Sequence, residues 1–348
     1  MFLNGICNSC YSWISRFLGS KTWSLPQYLF NKIFNSELDN PDINWNATNY
    51  QWSFISQEES AAEIKKNLYK YVMAAVPKSE NTAWITPFNI GLLSASQLGL
   101  DLEKLPGTIE IKDNSLVDYS TGLKAIVAES ACSNEILVGF GAADSLLSDV
   151  SPSKGLKYIF SAGVSLLGGT PLIYSQAEKI VAALKEKYPD KKIILSGTCL
   201  GASLAEYAAF QNGVKAYCVN SLPLGVGLQA EIGNAKLREH HNKVHHVTVS
   251  NELFGDRPWI TILDKIFSFL GFRTAANFGL RFSIPCTYNS AILDHSYPLD
   301  AVVKVIVPDH KASAETKNKR RRISNVYNKH INGLIENGTV QRPKNRVQ

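Results

Sequence analysis

The sequence is poor in charge and in cysteine. Only 19% of its 348 residues are charged, against 45% hydrophobic residues, so the chain can bury a core and wholesale disorder is excluded. Its six cysteines are few and scattered, which excludes a disulfide scaffold and favours a reducing compartment. We therefore expect a cytoplasmic protein that contains one large domain or two smaller ones.

Basic residues are scarce at the start of the chain. Residues 1–15 carry no charge, whereas a secretory signal has a basic segment before its apolar run, so we expect no such signal. Two uncharged runs, 81–100 and 158–177, are interrupted by proline, glycine and polar residues, and we expect no transmembrane helix. Apolar residues at helical spacing predict an N-terminal helix, which either packs on the body or lies on a membrane with Cys7 or Cys10 acylated.

The net charge of +6 is unevenly distributed. Residues 309–348 contain ten Lys and Arg against three acids, which leaves 26 basic and 27 acidic residues, a net of −1, for 1–308. A near-neutral body excludes a basic footprint over the folded surface, so no nucleic acid partner is expected. The basic run 317–322 has three interpretations: contact with an anionic membrane surface, a nuclear-localisation or nucleic-acid patch, or a solvated end.

The pattern of the chain predicts three parts: an apolar helical arm and linker (1–53), a main domain (54–308), and a basic, partly helical tail (309–348). Within the main domain, helices are expected at 58–76 and 87–100, the second capped by Thr86, and strands at 108–111, 123–130 and 136–140. From 170 onward, a helix capped by Thr170 opens a strand–helix–strand alternation. That alternation predicts an α/β fold with a mostly parallel sheet and helices on both faces.

A short motif lies in the clearest of these strand–turn–helix units. Gly197-Thr198-Cys199-Leu200-Gly201 fits the pattern Gly-x-nucleophile-x-Gly, with glycines that leave room for a sharp turn. Cys199 would stand at a helix N-terminus, where the helix dipole stabilises a thiolate, and the Leu200 N–H would face a developing oxyanion. The alternative is an inert buried thiol.

These residues resemble the nucleophile elbow of the class 3 lipases, a branch of the α/β-hydrolase superfamily. That family reads Gly-His-Ser-Leu-Gly-Gly-Ala-Leu-Ala; here Thr198 stands in place of the histidine and Cys199 in place of the nucleophilic serine. The resemblance extends over 136–299 in order and spacing. It implies an α/β-hydrolase-like fold and a second oxyanion donor at the backbone N–H of Ala143, or of Ala142, although the family's Arg and hydroxyl are missing from that loop.

A nucleophile of this type needs a base and an acid that orients it, in the chain order nucleophile, acid, histidine. His295, in Asp294-His295-Ser296-Tyr297, resembles the family's Asp-His-x-x-Tyr and is the predicted base, with Tyr297 one residue early. Glu252 occupies the place of the family's aspartate after the strand 244–249, and Asp256 is the alternative acid.

Two functions remain open at this stage. One is a cofactor-independent cysteine hydrolase or acyltransferase that acts on an acyl ester, thioester or amide, with a lipid-linked acyl substrate implied by the resemblance. The other is a catalytically degraded lipase-like fold that serves as a membrane or protein-binding module. His241 and His245, spaced as i and i+4, raise a third and separate interpretation, a zinc site on one helix face.

Overall fold

The computed structural model describes residues 53–54, 57–79, 82–141, 169–250, 275–287, 298–307, 329 and 331–342. All of them belong to one compact unit that extends from Ala47 to Gln348. The predicted N-terminal helix, with Cys7 and Cys10, and the basic run 317–322 lie outside the described residues.

Ten strands of the described chain form one mixed sheet. They are β1 Ser53–Phe54, β2 Ile90–Leu92, β3 Glu110–Lys112, β4 Ser115–Asp118, β5 Leu123–Ser130, β6 Glu135–Phe140, β7 Lys192–Thr198, β8 Lys215–Val219, β9 Val244–Val249 and β10 Leu280–Ile284. The strand order is β1-β10-β9-β8-β7-β6-β5-β4-β3, and β2 pairs with β5. Strands β6 to β10 and β1 pair in parallel, whereas β2 to β5 and the β5–β6 pair are antiparallel.

Helices cover both faces of this sheet. They are α1 Gln57–Ser79, α2 Ala95–Leu98, α3 Leu172–Lys187, α4 Leu200–Asn212, α5 Val226–Ile232, α6 Asn234–His240 and α7 Pro298–Ile306. Helices α3 and α4 pack on one face, and α1 and α7 pack on the other. Each face of the sheet is apolar because successive side chains of a strand point to opposite faces. In β7, Ile193 and Leu195 belong to the core under α3 and α4, whereas Ile194 belongs to the core under α1 and α7. The predicted α/β fold with a mostly parallel sheet is confirmed.

The helix expected at 87–100 is wrong over most of its length, because only α2, Ala95–Leu98, is α-helical there. A short 3₁₀ turn, Thr86–Phe88, ends at Asn89, whose φ of 55° is left-handed, and the chain then continues as β2 against β5. The Thr86 hydroxyl donates to the Thr82 carbonyl (3.3 Å) and does not cap a helix. Pairing with a neighbouring strand has outweighed the local helical spacing of the apolar residues.

Two other expectations need smaller corrections. Helix α3 begins at Leu172 with Pro171 at its cap position, so Thr170 lies one residue too early to cap it. Strand β4 is missing from the predicted strands. It pairs with β3 through a tight hairpin turn, in which Asp113 and Asn114 have φ values of 48° and 61°.

Candidate active site

Cys199 lies where β7 ends and α4 begins. Its φ of 55° and ψ of −121° place a non-glycine residue in a region that L-amino acids rarely adopt. A sharp strand-to-helix turn of this kind presents the side chain of its central residue at the end of the sheet. Cys199 is partly buried, in contrast to Cys218, which is fully buried.

The two glycines of the motif permit this turn. A Cβ atom on Gly197 would lie 2.3 Å from the Gly201 carbonyl carbon and oxygen, and one on Gly201 would lie 2.2 Å from the Phe140 carbonyl oxygen. Both distances are shorter than real Cβ contacts allow. The first turn of α4 therefore packs directly on the end of β6, and a larger residue at either position would push the elbow away from the sheet.

Backbone hydrogen bonds fix Cys199 on both sides. Its N–H donates to the Val219 carbonyl at the end of β8 (3.1 Å). Its carbonyl oxygen accepts from Ala202 N–H and Ser203 N–H (both 3.1 Å), within α4, and from Leu222 N–H (3.3 Å), in the loop after β8. The nucleophile position is thus tied to its own helix and to the neighbouring strand.

Leu200 is the first residue of α4 and is almost fully buried. The N–H of the first helical residue has no carbonyl one turn earlier in the helix to bond, and it lies at the positive end of the helix dipole. The Leu200 N–H is therefore in the position expected of an oxyanion donor.

The neighbouring strand ends the same way, in a left-handed residue. Asn220, directly after β8, has a φ of 48° and is buried. Its N–H donates to the Val247 carbonyl (2.9 Å), and its side-chain Oδ1 accepts from Val249 N–H (2.9 Å). These bonds fix the carboxyl ends of β8 and β9 beside the elbow.

A buried carboxyl group lies on the elbow helix. Glu206 of α4 is completely buried, and its Oε1 accepts from Phe278 N–H (2.7 Å). Burial raises its pKa well above the usual range, although the bonds from Phe278 and Ser221 act in the opposite direction. Burial therefore favours the protonated form of this carboxyl group.

His246 of β9 lies beside this carboxyl group, with Nε2 at 3.7 Å from Glu206 Oε1. The same nitrogen is 3.1 Å from the Phe278 carbonyl, which can only accept, so Nε2 carries the proton. Burial lowers the pKa of His246 to about 3, and the ring is neutral at pH 7.

Cys218 of β8 lies opposite His246 in the β8–β9 pair. Its thiol donates to the Ala202 carbonyl (3.3 Å), and burial raises its pKa.

The structure places two of the predicted site residues, Cys199 and Leu200, at one turn. The predicted base His295, the alternative acids Glu252 and Asp256, and the predicted oxyanion donors Ala143 and Ala142 lie outside the described residues. Sequence reasoning missed Glu206 and its partners. The sequence does contain a feature that singles out Glu206, because it is the one charged residue in an otherwise uncharged helix.

The zinc interpretation of His241 and His245 is wrong in its geometry. His241 lies in the 3₁₀ turn His241–Lys243, and His245 lies in β9, so the two do not share a helix face. The His245 ring instead stacks on Tyr217, with centroids 5.0 Å apart. Within the described ranges, no three His, Cys, Asp or Glu side chains are grouped to hold a metal ion.

The described part of the chain contains no helix with the length and apolarity needed to span a membrane.

Comparison with known proteins gives matches among solved structures. No protein-family model matches the sequence, and no curated protein gives a significant match. Lip2 lipase from Yarrowia lipolytica is 14% identical and matches 68% of this chain and 84% of its own, with a TM-score of 0.38. A triacylglycerol lipase from Penicillium expansum is 14% identical over 67% of this chain and 82% of its own, with a TM-score of 0.35.

A lipase from Rhizopus microsporus var. chinensis is 18% identical over 55% of this chain and 68% of its own, with a TM-score of 0.34.

The fold itself is defined by the arrangement described above: a mostly parallel sheet, helices on both faces, and a sharp turn from β7 into α4. This is an α/β-hydrolase-like fold.

Proposed function

We propose that this chain is a cysteine-dependent hydrolase or acyltransferase that acts on an acyl ester, thioester or amide. Cys199 would be the nucleophile, His295 the base, and Glu252 the acid that orients it, with Asp256 as the alternative acid. The backbone N–H groups of Leu200 and Ala143 would bind the oxyanion.

The observation that carries this proposal is the backbone of Cys199. A cysteine in a left-handed conformation is strained, at a cost of ~1–3 kcal/mol, and such strain clusters at functional sites. The surrounding glycines and hydrogen bonds maintain this conformation, and the side chain keeps partial access to solvent. A cysteine that only filled space would need none of these features.

The reaction proceeds in two balanced steps under this proposal. In the first, His295 takes the Cys199 thiol proton, the Sγ–acyl bond forms, the bond from the acyl carbon to its leaving group breaks, and the proton passes to the leaving group. In the second, water, an amine or a thiol attacks the acyl carbon and gives its proton to His295, the Sγ–acyl bond breaks, and His295 returns the proton to the Cys199 thiolate. Thiolates react well with thioesters, so acyl transfer is as natural an outcome as hydrolysis.

The proposed substrate is an acyl group on a lipid or another acylated molecule, because the elbow and its flanking segments resemble those of lipases. The basic run 317–322 would then contact an anionic membrane surface. No cofactor takes part in the proposed chemistry.

Selective thiol labelling tests the nucleophile. Cys132 and Cys286 have the same intermediate exposure as Cys199 and serve as internal controls. Treated with substoichiometric iodoacetamide at pH 7 and mapped by peptide mass spectrometry, Cys199 should be alkylated at least ~tenfold faster than either control. His295→Ala should suppress that preference, and Cys199→Ala should abolish turnover of a p-nitrophenyl acyl ester or an acyl thioester.

Equal labelling of the three cysteines would overturn the proposal. It would favour the alternative, a lipase-like fold that only binds a membrane or a protein partner.

A further inference from the structure

Glu206 lies on the same helix as the elbow, about two turns after Cys199. Its neighbours in α4 are apolar or small residues that form the core against α3 and the sheet. A leucine or methionine at this position would fill similar volume and would not require a carboxyl group to leave water. The presence of an acid therefore needs an explanation beyond packing.

The carboxyl group of Glu206 joins two loops. Oε1 accepts from Phe278 N–H (2.7 Å), just before β10, and Oε2 lies 3.4 Å from Ser221 Oγ, just after β8. The Asn277 amide is assigned with Nδ2 toward Oε2 (2.8 Å), because in this orientation Nδ2 also donates to the Leu222 carbonyl (2.9 Å).

The two loops are also bonded to each other and to the elbow. Leu224 and Ala276 exchange a pair of backbone hydrogen bonds (2.8 and 2.9 Å). Leu222 N–H donates to the Cys199 carbonyl oxygen (3.3 Å). A continuous path of hydrogen bonds thus leads from Glu206 through Asn277 and Leu222 to the backbone of Cys199.

We infer that Glu206 is a positioning residue for the nucleophile: through Asn277 and Leu222 it fixes the Cys199 carbonyl, and with it the strained turn that presents the thiol. This inference rests on the proposed function, since it assigns Glu206 a role in presenting Cys199. It applies equally to hydrolysis and to acyl transfer.

Two substitutions separate the hydrogen bonds of Glu206 from its bulk. In Glu206→Gln, the amide oxygen would still accept from Phe278 N–H. The amide NH₂ would then face Asn277 Nδ2, and an Asn277 side chain turned to accept from it would no longer donate to the Leu222 carbonyl. Leucine conserves the bulk and removes every hydrogen bond.

The experiment compares the alkylation rate of Cys199 in Glu206→Gln, Glu206→Leu and the unsubstituted protein. Glu206→Gln and Glu206→Leu should both label at least ~tenfold more slowly than the unsubstituted protein, because both break the path through Asn277 and small displacements of a reacting group reduce rates strongly. Circular dichroism and thermal unfolding should show that both variants are folded. In case Glu206→Leu does not fold, Asn277→Leu removes the same path from the loop side and should also slow labelling.

Ser203→Ala is the matched control. Ser203 lies on the same helix and is equally buried, and its hydroxyl bonds to Tyr174 OH (2.9 Å), away from the two loops. Alanine removes only this hydroxyl and keeps the backbone N–H that donates to the Cys199 carbonyl. Its loss should weaken stability and leave the labelling rate near the unsubstituted value. The inference is overturned if Glu206→Gln, Glu206→Leu and Asn277→Leu label normally, or if Ser203→Ala slows labelling as much as they do. Failure of the proposed function is distinct, because Cys199 would then show no labelling preference even in the unsubstituted protein.

Discussion

Gly201 touches the end of β6 so closely that a Cβ atom on it would lie 2.2 Å from the carbonyl oxygen of Phe140. The contact is with backbone atoms, which cannot rotate away as a flexible side chain would. Strand β6 ends at Phe140, two residues before Ala142 in the chain, and Ala142 and Ala143 are the predicted alternatives for the second oxyanion donor. One glycine therefore sets the distance between the elbow and the end of β6.

Gly201→Ala should separate these two elements. We expect a loss of at least ~2 kcal/mol in the free energy of unfolding, since overpacking against rigid backbone forces a shift, and a lower rate of Cys199 alkylation. Gly91→Ala is the control, because a Cβ at Gly91 meets nothing within 4 Å. Denaturant unfolding and thiol labelling measure both effects; equal behaviour of the two variants would show that the close approach has no consequence.

The elbow can be predicted from sequence because its signal is local. The motif, the strand before it and the alanine-rich helix after it occupy one short stretch, and Gly213 ends that helix with a φ of 65°, as expected of a C-terminal glycine. The strand 244–249 likewise has its predicted bounds. In each case the residues that determine the structure are adjacent in the chain.

What the sequence did not reveal depends on distant partners. Strand β2 exists because β5 offers it hydrogen bonds, and nothing within 87–100 indicates that partner. The Glu206 network is similar: its donors, Ser221, Asn277 and Phe278, come from two loops far along the chain. A lone acid in an apolar helix indicates that a partner exists, but the fold is needed to identify it.

The identity of the triad acid leads to a direct comparison. If Glu252 orients the base, Glu252→Gln should reduce turnover of an acyl ester at least ~tenfold, and Asp256→Asn should leave it near the unsubstituted value. Cys199 alkylation should follow the same order, because the acid acts through His295 on the thiol. The reverse order would transfer the role to Asp256, and unchanged rates in both variants would show a cysteine–histidine pair that needs no third member.

The basic run 317–322 gives a prediction about membranes. Replacing its five cations, Lys317 and 319–322, by glutamine should weaken binding to phosphatidylserine-containing vesicles at least ~tenfold at low salt, since each cation near an anionic surface contributes ~1 kcal/mol. Binding of the unsubstituted chain should fall steeply as salt rises.

A charge-matched control separates the cluster from the net charge. It replaces five exposed lysines of the body by glutamine: Lys65, Lys66, Lys104, Lys187 and Lys192. This variant should keep most of its vesicle binding. If both variants lose binding equally, the net charge is responsible and the basic run has no special role.

His245 gives the protein a predictable response to acid. Its ring is buried between Tyr217 and Phe282, with centroid distances of 5.0 and 6.2 Å. Burial lowers its pKa to about 4, and the positive charges of Lys215 and Lys70 contribute to the decrease. Below pH ~6.5 the unfolded chain takes up a proton at this residue while the folded chain does not. The free energy of unfolding should therefore decrease as the pH falls from ~6.5 to ~4.

His245→Phe removes the titrating group and keeps an aromatic ring in the stack. Its free energy of unfolding, measured by denaturant titration at several pH values, should decrease less between pH ~6.5 and ~4 than that of the unsubstituted protein, by up to a few kcal/mol. Phe282→Leu loosens the same stack without removing a titrating group. It should lower the free energy of unfolding by the same amount at every pH and leave its pH dependence unchanged. Parallel curves for His245→Phe and the unsubstituted protein would mean that His245 takes up its proton equally well in the folded and unfolded states, in conflict with its buried position.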